Sequence, residues 1–177
     1  MHIRSPIPTD RHIWQSSKYV IMYTAGPNYI KLMIEFEGCV LHPYLDSTSL
    51  PTIGIGTIRY ENGTSVTMSD PPITYDRAVE LLMFGTNYNL GIINVVVKSS
   101  LNQNQVDSIL SFSYNEGVPA FKSSTLLREI NLNPNNPHIR NDFMMWVYDR
   151  EHGVMVKNMG LYRRRQAEAD LYFTSIS

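Results

Sequence analysis

The stretch from Val40 to Met68 constrains the fold more than any other part of the chain. Pro43, Pro51, Gly54, Gly56 and Gly63 punctuate a run rich in Thr, Ile and Tyr, a composition that suits short strands and turns and works against a helix. Helical patterns flank it on both sides. Upstream, Ile30, Leu32, Met33, Ile34 and Phe36 supply apolar side chains; Pro27 suits a first helical position and Gly38 can end the helix, which leaves Glu37 on its last turn. Downstream, Pro71-Pro72 closes the sheet region, and Thr74 can cap a long helix through Ala78, Leu81 and Leu82 toward Val97. Gly85 and Gly91 are expected to bend or break that helix. Inside the sheet region, Asn62-Gly63 between Ile58-Arg59-Tyr60 and Ser65-Val66-Thr67 predicts a two-residue hairpin with both central residues at positive φ.

Asn102 can cap a further helix that carries Val106, Ile109, Leu110 and Ser113 on one face and ends near Gly117. More helices are expected around 125–130, 142–148 and 162–173. The fold class is therefore α+β: a small antiparallel-sheet lobe at about 38–72, and a larger helical lobe at about 73–177 that also takes the first helix. A helix joins the two, and the cleft between them is where a ligand belongs. Residues 1–26, interrupted by Pro6, Pro8, Ser16 and Ser17, read as an extension of unknown role ahead of a body at 27–177. Its apolar run, residues 19–26, is short, tyrosine-rich and set back from the start, so it reads as a strand or packing segment and not as a cleaved signal. No stretch reaches the roughly 18 apolar residues of a spanning helix, so no stable membrane insertion is expected.

With 177 residues, the chain can bury a core without cross-links. Cys39 is the single cysteine and reads as a small buried hydrophobe. His2, His12, His42, His138 and His152 are scattered without ligand spacing, so neither a metal nor a cofactor is expected. A formal net charge of −1 argues against nucleic acid bound through bulk positive charge. The run Gly54-Ile55-Gly56-Thr57 lacks the third glycine and the strand-to-helix setting of a dinucleotide loop.

The polar residues around the first helix and the sheet carry the chemistry. Glu37 ends a helix, and Asp46 and Thr52 follow in the stretch that Tyr44, Pro51, Gly54 and Gly56 fold back on that helix end. Two carboxylates facing one crevice can divide their labour, one protonated as general acid and the other ionised, which is the pair that glycoside hydrolysis uses.

Glu37-Gly38-Cys39, Tyr44-Leu45-Asp46 and Pro51-Thr52-Ile53-Gly54-Ile55-Gly56 resemble the active-site signature of the phage-type lysozymes, glycoside hydrolase family 24. Four later motifs resemble the helical lobe of that family in the same order: Leu101 to Asp107, Ser111 to Gly117, Phe121 to Leu127 and Gly160 to Glu168. The resemblance covers about residues 28–173. It implies a muramidase that cleaves the β-1,4 bond between N-acetylmuramic acid and N-acetylglucosamine in peptidoglycan with inversion. Glu37 would be the general acid; Asp46 would stabilise the developing positive charge and, with Thr52, hold the attacking water. Asn115 is then a substrate contact, or else a helix C-cap. Arg163, Arg164 and Arg165 either grip an anionic polymer, Arg163 being the preferred candidate, or flank a helix start with packed stems and solvated heads. Tyr114, Phe121 and Trp146 read as packing residues.

Three departures from the family pattern stand out. Thr57 replaces a common histidine, Ser49 a common glycine, and Glu116 a usually apolar residue; Glu116 is expected to face the cleft or solvent. Two alternatives to hydrolysis follow from the residues: a lytic transglycosylase on a related fold, or a catalytically weak wall-binding or virion component. The resemblance also implies a monomeric enzyme held in the host cytoplasm until a holin opens the membrane, or an effector checked by an immunity protein.

Overall fold

The computed structural model describes residues 22–175, apart from Ser47, His152 and the side chain of Glu151. Its elements run α1 (Pro27–Glu37), β1 (Val40–Leu45), β2 (Pro51–Gly54), α2 (Tyr75–Val96), α3 (Gln103–Glu116), α4 (Val118–Ser123), α5 (Thr125–Leu132), α6 (Ile139–Met144), β3 (Tyr148–Glu151), β4 (Val154–Lys157) and α7 (Met159–Tyr172). This is the α+β arrangement expected from the sequence, with the strands β1 and β2 in one lobe and most helices in the other.

Helix α3 is the axis of the helical lobe. Every residue from Asn104 to Ser113 is buried, so neighbours must cover all its sides, and α1, α2, α4 and α7 do so. A capping box starts it: Gln105 N donates to Asn102 Oδ1 and Asn102 N to Gln105 Oε1, both at 2.9 Å. Fully buried Phe112 meets Phe121, Phe143 and Trp146 edge-on, with ring centroids 6.1, 5.7 and 5.4 Å away. Phe121 is fully buried, as expected of a packing residue, whereas Tyr114 and Trp146 are half-buried against the core.

Helix α1 has Gly26 at its N-cap and no side-chain cap of its own. The buried carboxylate of Asp107 on α3 supplies one, accepting from Gly26 N at 2.7 Å and Tyr29 N at 3.1 Å. That contact fixes the axial position of α1 and thereby of Glu37 at its other end, where Gly38 at φ 77 closes the helix. Just upstream, Tyr23 N donates to Asn94 Oδ1 on α2, so residues 23–26 pack onto helices; the remainder of the N-terminal extension lies outside the described residues.

In the small lobe β1 pairs antiparallel with β2, placing Tyr44 opposite Thr52 and Leu45 opposite Pro51. Gly54, at φ 66, lies so close to α2 that a side chain there would meet Ala78 at 3.2 Å. The Asn62-Gly63 turn forms, but positive φ is confined to Gly63; Asn62 Oδ1 accepts from the Thr64 backbone and hydroxyl instead, an Asx-type turn and not the mirror-image type expected. Ile53 and Thr57 exchange both backbone hydrogen bonds, so the lobe closes there without any help from a histidine.

Five elements differ from the sequence expectation: α2, α4, α6, β3 and β4. Helix α2 runs unbroken for 22 residues: Gly85 and Gly91 lie on its open side, where a side chain would touch nothing, and Ala78, Leu81, Leu82, Thr86 and Ile93 hold the opposite face. Helix α4 is additional. Helix α6 starts at Ile139 and ends at Met144 and does not continue to Tyr148, because the Val147 carbonyl accepts from Asn158 N at 2.8 Å. Tyr148 instead opens the β3–β4 hairpin, which turns at Gly153 with φ 85.

Among the described non-glycine residues, Ser49 alone has positive φ, at 63. Left-handed backbone costs a side-chain-bearing residue on the order of 1–2 kcal/mol, part of which a glycine returns through its freer unfolded state. Ser49→Gly should therefore raise the urea unfolding free energy by about 0.5–1 kcal/mol; unchanged or lower stability would show that the turn is unstrained. Phe112→Ala should lower it by about 3–5 kcal/mol, and a loss below about 1 kcal/mol would contradict the central role given to α3.

Candidate active site

Glu37 projects from the last turn of α1 into a cavity of about 780 Å³. Asn115 from α3 and Arg163 and Arg164 from α7 share its walls, with Glu35 and Asn158. The Glu37 side chain is 27% exposed and its Oε1 accepts from Arg164 Nη1 at 2.6 Å. Three of the sequence candidates, Glu37, Asn115 and Arg163, thus meet in one cavity, while the arginine that touches the candidate acid is Arg164.

The neighbours of Arg164 extend into the interior. Its Nε reaches Glu168 Oε1 at 3.3 Å, and Arg165 Nη2 donates to the same oxygen at 3.1 Å. Arg165 Nε and Glu168 Oε2 are 2.9 Å apart, an ion pair in which the N–H is not aligned on the oxygen. Ser111 donates its hydroxyl to Glu168 Oε1 at 2.7 Å. Arg165 Nη1 donates to Glu116 Oε1 at 2.9 Å, and Nη2 also donates to Asn115 Oδ1 at 2.7 Å. Arg164 and Arg165 are 4% and 0% exposed, so solvated heads are ruled out for both. Glu116 is 19% exposed and paired; the expectation that it faces the cleft or solvent is replaced by an ion pair that turns it inward. Asn115 lies inside α3, whose C-cap is Gly117, so the C-cap reading does not hold.

Asp46 and Thr52 occupy the other lobe and are not among the lining residues of this cavity. Asp46 follows the end of β1, and its Oδ1 accepts from Thr48 N, Thr48 Oγ1 and Leu50 N at 2.8, 2.8 and 2.9 Å. The donation from Leu50 N is the largest influence holding the Asp46 carboxyl below the usual aspartate range, followed by the Thr48 hydroxyl. Thr52 is buried on β2 and spends its hydroxyl hydrogen on the Leu50 carbonyl at 3.0 Å; Asp46 N donates to the same carbonyl. Burial first, then the charges of Asp46 and Glu37, raise the Tyr44 hydroxyl.

Sequence reasoning missed the cluster of Arg164, Arg165 and Glu168. A signal existed: Glu168 is four residues after Arg164 and three after Arg165, the spacings that bring side chains together on a helix. Among the described residues no group of His, Cys, Asp and Glu could hold a metal ion. Cys39 is half-buried, and desolvation raises its thiol.

The depressed Asp46 carboxyl has a consequence for pH. Its hydrogen bonds are stronger to the ionised form, so their stabilisation is complete above the usual aspartate range and is lost as pH falls through the lower folded value. The amide resonances of Thr48 and Leu50 should titrate together with a midpoint below about 3.9 and stop titrating in Asp46→Asn. A midpoint at or above the ordinary value would contradict the hydrogen-bonded loop.

Comparison with known proteins places the fold. The phage lysozyme family model matches residues 34–168. The endolysin of Salmonella phage P22 is 36% identical over 125 residues, which span 71% of this chain and 84% of that protein. The endolysin from Escherichia coli O157:H7 phage FAHEc1 superposes with a TM-score of 0.79 at 31% identity, covering 87% of this chain and 96% of that one. The muramidase domain of SpmX from Asticaccaulis excentricus superposes with a TM-score of 0.73 at 25% identity, covering 86% and 99%. A match this extensive, on a fold that carries the cavity with Glu37 on its wall, assigns the chain to the phage lysozyme family, and with it to the peptidoglycan hydrolases of the muramidase type.

Proposed function

We propose that the reaction is an inverting hydrolysis of the muramyl β-1,4 bond in which Glu37 protonates the departing glycosidic oxygen. The observation that carries this reading is the placement of Glu37, partly exposed at the wall of a large polar cavity and fixed at its back by Arg164. A positioned acid contributes roughly 10²- to 10⁴-fold in rate.

Asp46 is proposed as the second carboxylate. Its environment supports that division: one oxygen is saturated by three donors, which keeps the group ionised and ready to face positive charge on the sugar. The hydrogen of Thr52 Oγ1 is engaged by Leu50, so Thr52 meets a water as an acceptor. A water donating both its hydrogens to Asp46 and Thr52 keeps a lone pair for the anomeric carbon, and inversion needs roughly 6.5–9.5 Å between the two carboxylates to admit it.

Asn115 and Arg163 are proposed as substrate contacts. Arg165 occupies Asn115 Oδ1, which leaves the amide N–H to donate to a carbonyl or hydroxyl oxygen of the glycan. Exposed Arg163 brings a positive charge to the same wall, suited to the acidic groups of the polymer. The catalytic body is proposed to occupy 27–177, acting as a monomer. No helix of the described residues is long and apolar enough to cross a membrane; the route proposed to the wall is release from the host cytoplasm through a holin lesion, with control by an immunity protein as the variant for an effector setting.

Lysis of outer-membrane-permeabilised cells tests the reading. Glu37→Gln should lower turnover by at least about 10²-fold while keeping the wild-type melting temperature, and the wild-type digest should carry reducing muramic ends. Retained activity in the variant would remove Glu37 from the role of acid, and anhydro-muramic ends would replace hydrolysis with transglycosylation.

A further inference from the structure

A general acid must deliver a proton, and the guanidinium of Arg164 lies 2.6 Å from Glu37. The charges behind Arg164 therefore bear on how the acid is set. Arg164 and Arg165 face three carboxylates, those of Glu37, Glu116 and Glu168. Without Glu37 the remaining two cations meet two anions, so the buried group is neutral when Glu37 carries a proton and has one excess negative charge when it does not. Of the three, Glu37 has the most exposed side chain, at 27% against 19% for Glu116 and 0% for Glu168, and it opens on the cavity.

Glu168 is shared. It faces Arg164 through Nε and Arg165 through Nε and Nη2, and whatever demand Arg165 makes on it is withdrawn from Arg164. Glu116 meets that demand from the other side, taking Arg165 Nη1 at 2.9 Å. We infer that Glu116 is a positioning residue for the acid: by occupying Arg165 it leaves Glu168 to balance Arg164, and so loosens the hold of Arg164 on ionised Glu37. The inference rests on the reading of Glu37 as the acid.

The surroundings allow the effect to travel. Glu116 faces Arg165 and Arg164 of α7 and Asp149 of β3. Glu37 faces Arg164 of α7, and its charge is felt by Tyr29 of its own helix, Tyr44 of β1 and Tyr114 of α3; Glu35 and Arg163 share the cavity wall. Burial pushes the Glu116 carboxyl above the usual glutamate range while Arg165 opposes that rise, so the effect is read on the alkaline side of an activity profile.

The test is the pH dependence of kcat/KM for wild type, Glu116→Gln, Glu116→Met and Glu116→Asp, each confirmed folded by thermal melting across the range. Methionine fills a similar space without charge, so a folding failure of the glutamine variant still leaves an uncharged protein to measure. Both uncharged variants should move the alkaline limb to lower pH by roughly 0.5–1 unit, a loss of about three- to tenfold at the alkaline edge, carried by kcat with KM unchanged. Glu116→Asp should restore the wild-type limb. Superimposed limbs, a shift to higher pH, or the same shift in Glu116→Asp would overturn the inference. Glu37→Gln separates it from the reading beneath: if that variant keeps its activity, Glu37 is not the acid; if it is dead while the Glu116 profiles superimpose on wild type, the role of Glu116 alone fails.

Discussion

Arg164 and Arg165 lie side by side on α7, 4% and 0% exposed, with the fully buried carboxylate of Glu168 between them. Removing guanidinium groups from water costs several kcal/mol each, and the structure offsets this by surrounding them. Arg165 lies over the Phe112 ring at 4.8 Å and Arg164 over Phe36 at 5.5 Å, while Ser111 and Glu168 supply oxygens. Removing Glu168, the fully buried carboxylate, would leave uncompensated buried charge worth about 3–5 kcal/mol. Because its members come from α1, α3 and α7, the rotation and register of those helices have little freedom. The wall of the cavity inherits that rigidity.

The two lobes stabilise their carboxylates by opposite means. Glu37 is positioned from far away: Asp107 of α3 caps one end of its helix and Arg164 of α7 meets the side chain at the other. Asp46 is positioned from within four residues, by donors on Thr48 and Leu50. A long-range scaffold on one side and a short hydrogen-bonded loop on the other give one partly enclosed carboxylate beside an arginine and one open carboxylate fixed in its ionised form.

Local chemistry was legible in the sequence wherever the deciding contact is local. Thr74 and Asn102 cap their helices through side chains that accept from backbone three residues on, and Gly38 ends α1. The sheet region was legible from its composition. The β3–β4 hairpin was not, since Tyr148 belongs as well to a helix as to a strand until Asn158 takes the Val147 carbonyl. Gly85 and Gly91 misled for a related reason: their helix-weakening effect is real but smaller than the packing of the opposite face.

Helix α7 shows where the limit falls. Its buried residues Arg164, Arg165, Glu168, Ala169 and Tyr172 follow a helical core spacing, but three of them are charged, and a search for apolar periodicity passes over such a face. The sequence by itself determined the fold class, the end of α1, the caps of α2 and α3, and the identities of Glu37, Asp46 and Thr52 as candidates, because each depends on residue type and near neighbours. The tertiary structure alone decided that Arg164 and not Arg163 meets Glu37. Adjacent arginines on a helix point about 100° apart, and which of them faces inward is set by how α7 is rotated against α1 and α3, a choice made by contacts more than fifty residues distant along the chain.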